Sequence, residues 1–176
     1  MNLEKEIANL LFYIVPAILV LVTAFYLIKK FLDNQHRIKL IEAKLQTQKD
    51  IMPLRLQAYE RLTLFLERIS PNNLLSRVYQ PGLTVRELQV ELLNVIRQEF
   101  EHNVTQQIYV SPHSWNAVRN AKEEVIRLIN SSASGLNPQG KGAELNKNIF
   151  ENIVNEESLP AQKAIDFLKS EVNQYY

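Results

Sequence analysis

Twenty-two consecutive residues, Ile7 to Ile28, contain no Asp, Glu, Lys, Arg or His. A helix rises about 1.5 Å per residue, so such a run covers roughly 33 Å, against about 30 Å for the hydrocarbon core of a bilayer. The run therefore divides the chain into a short tail (1–6), one transmembrane helix (7–28) and a large water-facing remainder. Tyr13 and Tyr26 stand toward its two ends, where an amphipathic ring sits at headgroup level. Pro16 lies inside it; it lacks a backbone donor and favours a kink. A lone span has no neighbour to satisfy the carbonyl so freed, which hints at packing against another membrane helix. A cleaved signal peptide calls for a basic start, a shorter apolar core and a small-x-small cleavage site. Here the start is Glu4-Lys5-Glu6, and no Ala-x-Ala follows the run.

Positive charge follows the span. Lys29, Lys30, Arg37 and Lys39 come just after it, against Lys5 before it. The positive-inside rule then puts the N-terminus outside and residues 29–176 in the cytoplasm. The same four residues are candidates for anionic lipid headgroups, at about 1 kcal/mol per basic side chain near the surface. Between Lys29 and Asp50 there are six Lys/Arg against three Asp/Glu; from Ile51 onward there are 13 against 14. The larger part thus lacks the basic surplus of a nucleic-acid binder, and no nucleic-acid partner is expected. The chain has no cysteine, so no disulfide contributes to its fold.

Residues 29–50 contain no Gly or Pro and read as a juxtamembrane helical stalk. Phe31, Ile38, Leu45 and Met52 recur every seven residues, with Ile41 at the intermediate position and Asn34 and Gln48 at the others. This is a short, imperfect heptad pattern. Phe31, Ile38, Ile41 and Leu45 are the candidate residues for self-association in a parallel homo-oligomer, or for packing on the chain's own helices.

The helical bundle core is expected over 51–130. Pro53 suits the first turn of a new helix, and Leu54, Leu56, Ala58, Leu62, Phe65, Leu66 and Ile69 form an apolar stripe after it. A short turn follows at Leu74–Val78 before Pro81-Gly82 breaks the chain. Thr84 and Glu87 have the spacing of a capping box. The wide stripe from Val85 to Phe100 marks the central helix of the domain. Val104–Val110 fits either a frayed helix end or an extended link. Ser111-Pro112 opens another helix, with Trp115, Val118, Ala121, Val125, Leu128 and Ile129 on its apolar face. Residues 131–142, SSASGLNPQGKG, hold three of the four glycines and read as a flexible loop. A C-terminal helical pair is expected over 143–176, the second helix opening at Pro160, and Tyr175 and Tyr176 end the sequence. The fold class is all-α: one N-terminal transmembrane helix continuing into a juxtamembrane helix, then a cytoplasmic bundle of about five to six helices.

Little chemistry stands out. Glu99 and His102 have the E-x-x-H spacing that places both on one helix face. Two such motifs and two more carboxylates build a di-iron site within a bundle, but only one is present, so Glu99 and His102 are weak metal candidates beside the plainer reading of a solvated i, i+3 pair. No Gly-x-Ser-x-Gly and no phosphate-binding fingerprint occurs. No catalytic residue and no cofactor is expected.

The stretches IMPLRLQAYERLTLFLERISP from Ile51 and QEFEHNVTQQIYVSPHSWNAV from Gln98 resemble an uncharacterised family of short single-span membrane proteins of Bacteroidetes-type bacteria, a domain of unknown function. The resemblance covers the span and the domain to about Ser131. It implies a bacterial inner-membrane location and carries no active-site residues. The functional expectation is a membrane-anchored helical interaction module that tethers a protein partner, or another copy of itself, at membrane lipids. The alternative is a small accessory subunit of a larger inner-membrane complex, and a metal-dependent enzyme through Glu99 and His102 comes third.

Overall fold

The first glycine of the chain is Gly82, and the backbone first leaves helical geometry at Ser70, just before Pro71. The computed structural model describes residues 3–154 and 159–174, apart from the side chains of residues 3–6 and 8–11. The described backbone is mainly helical, with no strand among the described residues and one isolated antiparallel bridge, Thr84 to Lys141. Helix α1 (Leu3–Ile69) is 67 residues long. It begins four residues before the expected span and incorporates Pro53, which does not open a new helix as its sequence context suggested. Proline keeps a helical φ and removes only one intrahelical bond, the one to the residue four before it. Here that residue is Lys49, which is exposed, as are both residues beside it.

The chain divides into two units, Met1–Ile51 and Met52–Tyr176. In the first, all described side chains from Phe12 to Ile51 are exposed. The second unit has a core. It comprises the end of α1, then α2 (Pro71–Val78), α3 (Val85–Asn103), a 3-10 turn (Val104–Ile108), α4 (Pro112–Ala133), α5 (Gly142–Val154) and α6 (Pro160–Val172). The apolar stripes converge as their spacing requires: Leu62, Phe65 and Leu66 of α1 are fully buried with Leu88, Leu92 and Ile96 of α3, Val118 and Val125 of α4 and Ile165 of α6. Leu54 and Val90, both counted in those stripes, are instead 47% and 43% exposed. Helix α3 touches α2, α4 and α5, and α4 touches α3, α5 and α6, so α4 shares the central role expected of α3. Trp115 packs against the core from a partly buried position, stacked on Phe100 at 5.5 Å, and Phe100 meets Phe65 at 5.8 Å. Three helices are thereby joined by one aromatic column, with the Lys122 ammonium 4.3 Å above the Phe100 ring.

The capping box forms. The Thr84 hydroxyl accepts from the Glu87 amide at 3.2 Å, and the Glu87 carboxylate accepts from the Thr84 amide at 2.9 Å. That backbone bond, with the Thr84 hydroxyl, holds the Glu87 carboxyl below its ordinary pKa. The two amides the box leaves over are satisfied from the segment expected to be a flexible loop. Val85 N–H donates to the Gly140 carbonyl at 3.0 Å and Arg86 N–H to the Pro138 carbonyl at 3.1 Å, while Gly142 N–H donates back to the Leu83 carbonyl at 2.8 Å. Residues 138–142 are thus the N-terminal cap of α3, and residues 131–133 belong to α4. A β-carbon on Gly142 would stand 2.8 Å from the Leu83 carbonyl oxygen, so glycine is required there by close approach. Gly142→Ala is expected to destabilise the protein by about 1–3 kcal/mol. Thermal denaturation of the full chain in detergent, followed by the fluorescence of its one tryptophan, measures this; an unchanged midpoint would mean that the cap yields freely.

Candidate functional site

Helix α6 buries Ala164, Ile165 and Leu168, and Glu171 falls in the same helical phase. Its side chain is therefore carried inward, and the residue is 8% exposed. Three hydroxyls meet it. Tyr59 of α1 donates to Oε1 at 2.6 Å, Ser111 donates to Oε2 at 2.7 Å, and Ser114 donates to Oε2 through a short hydrogen bond. Ser111 is also the N-cap of α4, accepting from the Ser114 amide at 3.0 Å, so the carboxylate lies at the end of a helix whose dipole favours negative charge. Arg55 of α1 adds an attractive charge and donates through Nε to the Tyr109 carbonyl at 3.1 Å. Burial works against the charged form of Glu171, but the hydroxyls of Ser114, Tyr59 and Ser111 and the charge of Arg55 outweigh it and hold the carboxyl below its ordinary pKa. An anion already accepting from three hydroxyls is a poor base and a poor nucleophile, so this cluster is a structural clamp. The charged residue in the apolar phase of α6 is the sequence signal that would have revealed it; sequence reasoning found Ser111 as a cap and missed the rest.

Glu99 and His102 line the same open groove of about 660 Å³, together with Arg61 and Arg68. Both Glu99 oxygens face guanidinium groups: Arg68 at 3.1 and 3.2 Å and Arg77 at 3.3 Å. Arg77 also donates to the Arg68 carbonyl at 2.9 Å, tying α2 to the end of α1. Glu99 is thus an ion-pair hub rather than a partner of His102. No cluster of three or more His, Cys, Asp or Glu that could hold a metal occurs among the described residues.

The remaining candidates lie on α1. Lys29, Lys30, Arg37 and Lys39 are all exposed, and at about 100° per residue they spread over roughly half the helix circumference. Phe31, Ile38, Ile41 and Leu45 are 63%, 41%, 58% and 52% exposed and fall within about 80° of one another on a single face. Tyr175 and Tyr176 lie outside the described residues.

The protein is thus all-helical, with a hydroxyl-clamped bundle and an N-terminal helix long and apolar enough to cross a membrane by length and composition. It belongs to the family of unknown function DUF7935, whose profile matches residues 5–175. No curated protein and no solved structure matches it.

Because the folded-state pKa of Glu171 lies below its unfolded value, its contribution to stability is complete at neutral pH and is lost as the pH falls from about 4.5 through the folded value. Glu171→Ala is expected to cost about 2–4 kcal/mol and Glu171→Gln about 1–2 kcal/mol at pH 7. The difference between Glu171→Gln and the parent chain should shrink as the pH is lowered through that window. Denaturant titrations at several pH values check both, and a pH-independent difference would remove the carboxylate's charge from the clamp.

Proposed function

We propose that this protein is a membrane-anchored helical interaction module. Its N-terminal apolar segment crosses the bacterial inner membrane once, and residues 52–174 form a cytoplasmic domain that presents a surface to protein partners. The observation that carries this reading is the exposure of the apolar segment: none of the residues in its most apolar stretch is buried within the chain. Moving a Val, Leu, Ile or Phe side chain out of water is worth about 1.5–3 kcal/mol. Eleven of these residues lie between Phe12 and Ile28, and the chain itself buries none of them, so the whole cost of keeping them in water remains. A bilayer removes that cost. Lys29, Lys30, Arg37 and Lys39 follow the segment and support an orientation with the N-terminus outside, where their charges meet anionic headgroups on the inner face.

A second reading, an accessory subunit of a larger membrane complex, is favoured by Pro16. It lies within α1 and frees the carbonyl of Phe12, which a neighbouring membrane helix can satisfy.

The full chain is expected to stay with the membrane through an alkaline wash and to be released by the double substitution Leu19→Arg, Val22→Arg. A C-terminal tag should be digested in inside-out vesicles and protected in right-side-out ones. Recovery of the unsubstituted chain in the alkaline supernatant would overturn the anchor, and the reverse protection pattern would overturn the orientation.

A further inference from the structure

The heptad positions of the stalk have a consequence once α1 is seen to run from Leu3 to Ile69 as one helix: their register is not reset at the end of the apolar segment. Counting back from Phe31, Ile38 and Leu45 at position a, the preceding a positions are Ala24 and Ala17, the only alanines between Phe12 and Ile28. The matching d positions are Val20 and Leu27, then Asn34 and Ile41. One stripe thus joins both segments: small side chains where helices in lipid need close approach, and large apolar ones where helices in water need buried area. All of these residues are exposed.

We infer that the occupant of this stripe is a second copy of the same chain, paired in parallel and in register from Ala17 to Leu45. The inference rests on the membrane reading, because two copies inserted in the same sense can only be parallel. Charge supports the pairing. In a parallel pair a g residue faces the e residue five positions later in its partner. Arg37 of one copy then faces Glu42 of the other, twice by symmetry. The next such pair sets Lys44 against Lys49, and Gln48 takes the following d position, so repulsion and a polar core residue end the paired segment beyond Leu45. Asn34 is the one polar residue inside it and can hydrogen-bond to its symmetry mate, which fixes register. Lys29 and Lys39 stand at f and b, off the stripe, and stay available to headgroups, whereas Lys30 at g faces the uncharged Gln35 of the other copy.

The chain has no cysteine, so single cysteines report proximity cleanly. Full-length variants in native membranes, with cysteine at Ile38, Ile41 or Leu45, should form disulfide-linked dimers on mild oxidation. Variants with cysteine at Lys39, Leu40 or Ala43 should give far less. Adding Glu42→Lys to Ile38→Cys should lower the yield about twofold to fivefold, and further adding Arg37→Glu should restore it. Equal yields at the two sets of positions, no cross-linking in either, or no restoration by the charge swap would overturn the inference. An alkaline wash of the same membranes separates the two readings. Chains that stay in the membrane without cross-linking leave the anchor standing and remove the pairing, whereas chains released into the supernatant remove both.

Discussion

Glu171 brings a negative charge against the first turn of α4 from the last turn of α6, and the bundle meets it with the hydroxyls of Tyr59, Ser111 and Ser114. Each partner comes from a place the chain must already have built. Tyr59 is on the buried face of α1, and Ser111 and Ser114 open α4. A buried charge with a partner removed costs several kcal/mol, so the three helices are committed together. Turning α6 by one residue, about 100°, would carry the carboxylate away from all three donors. The clamp therefore selects the same seating of the last helix as the buried Ile165 and Leu168, and adds a directional contact to their packing.

Away from the clamp, the domain is held by devices that each join elements far apart in sequence. The aromatic column links α1, α3 and α4. Glu99 gathers two arginines from α1 and α2. The segment after α4 returns to close the start of α3. The first unit has none of these. Its described side chains from Phe12 are exposed, and its order rests on the helical backbone and on whatever surrounds that helix.

What could be read from the sequence follows from this contrast. The starts of α4 and α6 were legible because Pro112 and Pro160 each stand at a first helical turn, and α3 because Thr84 and Glu87 satisfy each other locally, whereas the segment read as a short turn at Leu74–Val78 belongs to the helix α2 that Pro71 opens. The same proline rule misled at Pro53, because an exposed stretch of helix tolerates the loss of one backbone bond. The glycine-rich segment looked loose because its hydrogen bonds go to Leu83, Val85 and Arg86, some fifty residues earlier, and no local pattern records that. Glu99 was visible, but its arginine partners lie 31 and 22 residues away, so the motif with His102 was the only pairing that spacing offered.

The distance between Tyr59 and Glu171, 112 residues along the chain, also orders events in time. During synthesis Tyr59, Ser111 and Ser114 are all made before the carboxylate that they will hold. Domains tend to fold as their chain emerges, yet here the closing anion arrives after every other member of the cluster. The clamp therefore closes only once α6 has been made, and a chain cut short before Glu171 would leave Tyr59, Ser111 and Ser114 without the acceptor they share.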